Sequence, residues 1–585
     1  MRHKILLLLA LFAVKLVVAV QFDRHPLLQP DTGLDTSAYV ELAQRVSAGD
    51  VALGPGLYYV APLYIYFLAI AHTVTAARVL QVLLGTIAVA LIFLTAREWF
   101  GKRAAWISAV LAGLTGVFTY YEALILQSSL DVFLTALALW LVAKQRWLLA
   151  GCAFGIASLN RPNMLVAAVA VVIVVAAMRQ LRAAAIVFAG LLLGLAPVTI
   201  RNLAVAHQWS LVSSHGGINF YIGNGEGATG FFHAVPGMPS TIEGLARDAH
   251  RVAEGAAQRT LTDAEVSTYY SGLAWQWIRA HPAAWLRLML WKTYAFLNTA
   301  HISTPFSYTF YAYDAGTLLL VLFVGPWLLV PLGILGLARR RQLPLIVFAA
   351  AYAASVILFF ITERYKLPFF VAMAIGAGAG VEAMRRRVAD VAIVVALLIA
   401  VNWPLHLDDG RTEERLRMAE FEASRGNVAE AQRWAGDVES PRVEYLLGRA
   451  YLAAGQPSEA LPHLRSAIAQ RVNVPLAGYD LVVALQQTGD RDGAVRVLRA
   501  LKPPPNSPVV VFLQLARKAA ELDAPDVAEP FLRRAVKVAP DNRAARQMLD
   551  ITLLALGKTT SASAPAAPNA SSAPASRSVP PPRPR

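Results

Sequence analysis

The sequence predicts an all-α protein: a bundle of about eleven membrane-spanning helices followed by a stack of helical repeats. Three observations predict it. Of 585 residues, 56% are hydrophobic and only 16% charged, with a mean hydropathy of +0.49, far more apolar than a soluble chain of this length requires. Apolar windows of about 20 residues, each long enough to cross a hydrocarbon core of roughly 30 Å, recur through the first 400 residues and then stop. Beyond them the apolar residues take up a helical pattern that returns at a fixed interval, as at positions 455, 489 and 523.

Spans are expected at about 5–20, 77–97, 104–121, 124–143, 147–159, 163–178, 184–200, 316–338, 343–361, 367–383 and 388–404. The first follows Arg2-His3-Lys4 and is read as retained, because no small-x-small cleavage site precedes Gln21; Lys15 inside it must snorkel or face a protein interior. This assignment places Arg97-Lys102-Arg103, Lys144-Arg146, Arg179-Arg182, Arg339–Arg341 and Arg385–Arg387 on one side, which the positive-inside bias makes cytoplasmic. The net charge of +15 therefore belongs to membrane topology. No basic stripe with interleaved aromatics is present, which excludes a nucleic-acid partner. The single cysteine, Cys152, lies within an apolar segment and offers neither a disulfide nor a thiolate metal site.

The opposite, external side receives the long loops 21–76 and 201–315 and everything after His406. Its parity requires the Tyr-rich stretch Tyr58–Val74 to lie along the interface rather than cross it, and Trp285–Asn298 is read in the same way. The expected domains are thus a membrane domain over 1–405, helical repeats over 406–558, and an Ala/Ser/Pro-rich tail over 559–585 whose composition predicts disorder. In a bacterial cell the chain would be a multi-pass inner-membrane protein, with its loops and tail in the periplasm.

The repeats are in register. Gly455, Gly489 and Asp523 share one spacing with Ala460, Ala494 and Ala528, with Leu464, Leu498 and Leu532, and with Leu447, Leu481 and Leu515. With Gly448, Tyr451, Ala467 and the closing Pro540, this pattern resembles tetratricopeptide repeats, and Gly426 and Ala431 mark a degenerate earlier unit. Stacked helix pairs of this kind share a core and form a concave groove, which implies a protein partner.

Candidate chemistry lies in the external loops. In the first, Tyr39, Leu42, Ala43 and Val46 fall on one helical face with Asp35 just before it. Asp35 is either the cap of that helix or a carboxylate held at the membrane surface as a general base. Arg161, Arg201, Arg364 and Lys366 sit at external span ends, where they either snorkel or meet an anionic ligand. Glu122 and Asp131 flank the fourth span as possible second acids. Asn219 and Asn224 lie in a glycine-rich stretch, Gly216–Gly230, suited to close approach by a ligand. His25, His215, His233 and the loop acids show no metal-ligand spacing, so no metal residue is assigned and the cofactor is unknown.

Taken in order, Asp35 with Tyr39 and "APLYIYFLA", "LNRPN" at 159–163, "APVTIRN" at 196–202, "GGINFYIGN" at 216–224 and "ERYKLP" at 363–368 resemble the GT-C glycosyltransferases, the polytopic class that includes protein mannosyltransferases and lipid A aminoarabinose transferases. The resemblance spans about residues 5–404. It implies a GT-C-like fold with external juxtamembrane helices and transfer of a sugar from a polyprenyl-phosphate carrier to a lipid, glycan or protein acceptor, usually with inversion. It also implies Asp35 as base, Arg364, Lys366, Arg161 and Arg201 on the donor phosphate, and Tyr39, Tyr365, Asn219 and Asn224 on substrate. Protein mannosyltransferases carry adjacent Asp and Glu in the first loop, whereas Asp35 is followed here by Thr36, which leaves the acceptor open. The alternative is a non-catalytic membrane scaffold whose repeats assemble envelope proteins. A transporter is disfavoured because the ionisable residues cluster at span ends, and the Ser- and Pro-rich tail is itself a possible sugar acceptor.

Overall fold

The computed structural model describes residues 2–30, 35–239, 241–385, 387–472, 474–504 and 507–558; Arg386 and the 559–585 tail lie outside them. The chain is 75% helical, and the described residues contain isolated bridges but no strand. It divides into two units, Met1–Glu414 and Arg415–Arg585.

The first unit begins with α1 (Arg2–Asp23), α2 (Asp35–Ser47), α3 (Leu63–Ala71), α4 (Val74–Phe100), α5 (Lys102–Gly113), α6 (Gly116–Ala123) and α7 (Asp131–Ala143). It continues with α8 (Trp147–Asn160), α9 (Asn163–Ala177), α10 (Leu181–Val205), α11 (Gly216–Asn224), α12 (Ile242–Ala257), α13 (Asp263–Ala280) and α14 (Pro282–Leu297). Four more follow: α15 (Pro326–Arg340), α16 (Leu343–Ile357), α17 (Leu367–Met384) and α18 (Val388–Val401). Ten of the eleven expected spans each overlap one of these helices, and the 104–121 span is divided between two, α5 and α6. Among the described residues, four segments are long and apolar enough to cross a membrane by themselves: Leu6–Asp23, Val74–Phe100, Leu181–Val205 and Glu363–Met384. The nine-residue α3 rises only about 13 Å and crosses nothing.

Two expected spans are interrupted. The 104–121 span breaks at Leu114–Thr115 between α5 and α6, and the 316–338 span holds a 3-10 turn at Leu318–Val321 and becomes α-helical only at Pro326. The breaks satisfy each other: Gly116 N donates to Val324 O and Val324 N to Leu114 O, at 3.0 and 3.1 Å. Non-helical backbone survives inside such a bundle only when protein supplies its hydrogen bonds.

Close packing follows small residues. α8 and α10 meet where Gly151 and Gly155 face Gly190 and Gly194, and a Cβ on Gly151 would come within 2.1 Å of Val187 O. α17 is apolar all round and buried from Leu367 to Gly380, which makes it the hub against α5, α15 and α16. Its 18 residues span about 27 Å, separating Arg364 at one end from Arg385 at the other. Beside Arg385, Arg339 pairs with Asp390 and Arg340 with Glu382, so this basic cluster lies at the end of the bundle away from Arg364. Lys15 does not snorkel: it is buried and bonded to Glu122 at 2.5 Å.

The second unit contains most of α19 (Arg411–Ser424), then α20 (Val428–Ala435), α21 (Pro441–Ala453), α22 (Pro457–Ala469), α23 (Val474–Gln487), α24 (Arg491–Ala500), α25 (Val509–Glu521), α26 (Pro525–Val538) and α27 (Arg543–Ala555). The repeated positions do the same job each time. Gly455, Gly489 and Asp523 all turn between paired helices with φ of +73°, +86° and +51°, the left-handed conformation that glycine adopts at least cost. Leu464, Leu498 and Leu532, with Ala460, Ala494 and Ala528, are buried in one continuous core.

Candidate active site

α2 is anchored over the start of α7 by its own first turn. Thr36 donates to Ile125 O, and Tyr39 donates from its hydroxyl to Gln127 Oε1 at 2.9 Å. Asp35, at the first position of α2, projects beside Tyr39, and its Oδ2 accepts from Arg364 Nη1 at 2.8 Å. Asp35 is thus paired across the chain with the motif at 363–368.

That motif is a short 3-10 turn, Glu363–Lys366, leading into α17. Its residues point different ways. Arg364 faces Asp35, while its buried Nε has no hydrogen-bond partner among the described residues. Glu363 accepts from His301 Nδ1 at 2.6 Å and lies 3.4 Å from the Tyr121 hydroxyl. His301 loses affinity for its proton through burial, but the facing Glu363 carboxylate outweighs this and raises its pKa. Two guanidiniums approach the Tyr365 ring, Arg161 at 4.7 Å and Arg364 at 5.6 Å from its centroid. Arg161 is buried and bonded through Nε to Asp131 Oδ2 at 2.6 Å, and Asn160 donates to the other oxygen of Asp131.

Two cavities meet at this point. One, about 430 Å³, is lined by Asp35, Tyr39, Tyr59 and Arg364 and roofed by Thr241, Ile242 and Leu245 at the start of α12. The other, about 470 Å³, contains Arg161 and is otherwise walled largely by apolar groups, among them Pro162, Leu165, Val166, Trp209 and Leu358. Val166, Trp209 and Leu358 are also exposed on the outside of the unit, so this cavity reaches an apolar surface. Five residues line both: Gln127, His215, Asn219, Phe360 and Tyr365.

Of the residues singled out in the sequence, Asp35, Tyr39, Arg364, Tyr365, Arg161 and Asn219 converge here, with Asp131 behind Arg161. The others do not. Arg201 donates to the carbonyls of Ala52, Leu53 and Gly56 and stacks 4.2 Å over Tyr58, pinning the first loop. Lys366 donates to Ala295 O and Asn298 O. Asn224 donates to Phe220 O and Leu358 O and accepts from Trp285 and Lys292, so its amide is consumed by structure. Glu122 is consumed by Lys15, packed so tightly that a Cβ on Gly85 would lie 2.0 Å from its carboxyl carbon.

Gln127, His215, His301 and Lys292 were given no site role from the sequence, although the last three fall in the 201–315 loop expected on this side. Lys292, in α14 outside the spans, is wholly buried and donates to Gly223 O, Asn224 Oδ1 and Phe359 O, and burial pushes its pKa down to about 7. A lysine inside the apolar run 285–298 was the available signal. Among the described residues no three His, Cys, Asp or Glu side chains converge as a metal site would require.

Residues 59–200 match the family model described as dolichyl-phosphate-mannose-protein mannosyltransferase, and residues 451–508 match the tetratricopeptide repeat. No curated protein matches the chain. Among solved structures, ArnT from Cupriavidus metallidurans bound to undecaprenyl phosphate matches at 16% identity with a TM-score of 0.35, over 86% of this chain and 81% of that one. The APC/C hetero-tetramer Cut9-Hcn1 matches at 13% identity with a TM-score of 0.21, over 84% and 92%. A mannosyltransferase-family domain in the first unit and a tetratricopeptide repeat domain in the second are the two resemblances expected from the sequence.

Proposed function

We propose that the protein is an inverting membrane glycosyltransferase that moves a sugar from a polyprenyl-phosphate carrier to an acceptor hydroxyl, with Asp35 as general base. The observation that carries this reading is the junction of a cavity holding Asp35 and Arg364 with a more apolar cavity holding Arg161, Arg161 and Arg364 lying 4.7 and 5.6 Å from the Tyr365 ring centroid. A lipid-linked sugar needs both environments. Its hydrocarbon would enter past Val166, Trp209 and Leu358, and its phosphate would lie near the guanidiniums.

In the reaction the acceptor oxygen loses its proton to Asp35 and attacks the anomeric carbon. The bond from that carbon to the phosphate oxygen breaks, and the electron pair leaves with the phosphate. The phosphate gains one negative charge as it departs, so fixed cations lower the barrier without any acid to protonate it. Arg364 bridges base and leaving group: as negative charge grows on the phosphate its pull on Asp35 relaxes. Lys366, Arg201 and Asn224, whose polar atoms are held by the fold, are left out of this assignment.

The active-site end faces the periplasm of a bacterial inner membrane in this reading, opposite the arginine cluster around Arg339, and the repeats recruit an acceptor or partner protein. A reporter fused after residue 558 tests the sidedness. The chemistry is tested with purified full-length protein and a panel of polyprenyl-phosphate sugars, with total membrane extract as acceptor. Release of polyprenyl phosphate is expected to fall by about 10²–10⁴ in Asp35→Asn with donor binding retained. Undiminished release in that variant would remove Asp35 as the base. Function that depends only on residues 415–585, with Asp35 and Arg364 both dispensable, would support the scaffold alternative.

A further inference from the structure

The end of the first unit away from Arg364 carries a cavity of its own. About 340 Å³ in volume, it lies where the C-terminal end of α15 meets the connection between α17 and α18, and its polar lining is Arg339, Arg340, Arg341, Arg387, Glu382 and Asp390. Four arginines face two carboxylates, a net of two positive charges, and no lysine takes part.

The carboxylates decide which arginines are already engaged. Asp390 is buried, and Arg339 donates from Nε to its Oδ1 at 3.0 Å. Arg340 donates to Glu382 at 3.1 Å. Arg341 and Arg387 are exposed, and neither side chain meets a carboxylate among the described residues. Backbone, not a partner, sets them at the cavity: Arg341 closes α15 in the left-handed conformation with φ of +49°, and Arg387 caps the N-terminus of α18. That helix end adds its own partial positive charge.

Basic residues at span ends ordinarily report topology, and topology explains the sign of this cluster. Three of its features need something more. Lysine serves topology as well as arginine does, yet all four residues are arginines, whose planar fork matches the oxygens of a phosphate. Topology requires neither a cavity nor a buried carboxylate to aim a guanidinium, and both are present. Each unmatched arginine is also followed within two residues by an exposed apolar side chain, Leu343 after Arg341 and Val388 after Arg387, 49% and 87% exposed. A lipid satisfies both kinds of group at once, its headgroup on the cations and its chains over the apolar residues, whereas a soluble anion leaves the apolar residues in water.

We infer that this cavity binds the headgroup of an anionic phospholipid carrying two negative charges on phosphate, with Arg341 and Arg387 on the phosphate oxygens and Arg339 and Arg340 held in place by Asp390 and Glu382. Leu343 and Val388 meet the first methylenes of the acyl chains. The lining comes from α15 on one side and from α17 and α18 on the other, so a bound lipid ties these helices together. The inference is independent of Asp35 and of the reaction, and requires only that the first unit lie in a membrane.

The test uses full-length protein, delipidated in a neutral detergent and titrated with single lipids in mixed micelles, with bound lipid counted by native mass spectrometry. Cardiolipin and phosphatidic acid supply two charges in different arrangements, phosphatidylglycerol supplies one, phosphatidylcholine has no net charge, and inorganic phosphate offers the headgroup chemistry without chains. One of the two dianionic lipids is expected to bind at least about fivefold more tightly than phosphatidylglycerol, the worth of one basic residue at a membrane surface, and phosphatidylcholine should bind least. Arg341→Gln combined with Arg387→Gln breaks no ion pair among the described residues. It should melt close to the parent while affinity for the dianionic lipid falls about 30-fold. A control combining Arg97→Gln, Lys102→Gln and Arg103→Gln, at the join of α4 and α5, should lower that affinity by less than about threefold. Phosphatidylglycerol or phosphatidylcholine binding as tightly as both dianionic lipids overturns the inference, as does unchanged affinity in the double variant. Displacement of the lipid by inorganic phosphate at equal concentration would make this a soluble-anion site. A control as damaging as the double variant would leave only the diffuse attraction of a basic surface, and either result overturns the lipid assignment.

Discussion

Two groups of cations lie at the Arg364 end of the first unit, and they look alike in sequence but do different work. Arg161 and Arg364 pair with carboxylates beside cavities and both approach the Tyr365 ring. Arg201, Lys366 and Lys292 give their protons to main-chain carbonyls: the 52–56 loop, the end of α14, and the carbonyls of Gly223 and Phe359. A cation matched by a carboxylate can re-pair with an arriving phosphate, because the carboxylate can then take a proton or a substrate hydroxyl. A cation holding carbonyls cannot leave without stranding buried acceptors. The first group should therefore govern catalysis and the second stability.

Among these cations the largest effect is expected at Arg364. Arg364→Lys keeps the charge but loses the planar fork that bridges Asp35 and a phosphate, and should lower kcat/KM by about 10²–10³, the cost of one donor to a developing anion. Arg161→Lys should show the same pattern with the larger part in donor KM, because Arg161 lies on the cavity that would take the carrier. Both should melt close to the parent temperature. If either instead unfolds the protein while the surviving fraction transfers sugar normally, the division between the two groups is wrong.

Arg201→Lys should do the reverse. Three carbonyls and a stacking contact over Tyr58 cannot be served by one ammonium, and a loss of about 1–3 kcal/mol in stability is expected, read as a lower melting temperature. Transfer by the folded fraction should fall less than tenfold, since the loop that Arg201 pins also carries Tyr59 into the cavity wall.

This contrast also marks what was legible beforehand. The repeats could be read because each position recurs with one job: a left-handed turn at Gly455, Gly489 and Asp523, a buried leucine at Leu464, Leu498 and Leu532. Asp35 could be singled out because it precedes an amphipathic helix in the first loop, and Arg364 because it stands at the end of an apolar run within the 363–368 motif. The sequence carries no mark that separates Arg364 from Arg201, since the difference lies in what folds back onto each: a carboxylate 329 positions away for one, the 52–56 loop for the other. Gln127 and His215 were hidden for the same reason. The other residues that line both cavities come from segments far apart in the chain, and neither Gln127 nor His215 carries a formal charge that would have made its position costly. The interruption of two expected spans was masked by hydropathy, because Leu114 and Val324 are as apolar as the helices they break, although Gly113 and Gly116 at one break and Gly325-Pro326 at the other are residues that end helices.

The smallest expected effect sharpens the stability group by pH. Lys292 has its pKa lowered to about 7 by burial, against about 10.4 in an unfolded chain. Between those values the unfolded chain binds more protons than the folded one, so stability should climb as pH rises from about 7 toward 10 and gain nothing from this residue below about 7. The melting temperature is expected to rise by a few degrees across that window. Lys292→Met removes the titrating group and should flatten the rise, while lowering stability throughout because Gly223 O and Phe359 O lose their donor. A rise that persists unchanged in Lys292→Met would assign the pH dependence to another group and return Lys292 to an ordinary charged lysine. A flattened rise, with sugar transfer by the folded fraction unaltered, would place Lys292 beside Arg201 as a cation spent on holding backbone, apart from Arg161 and Arg364.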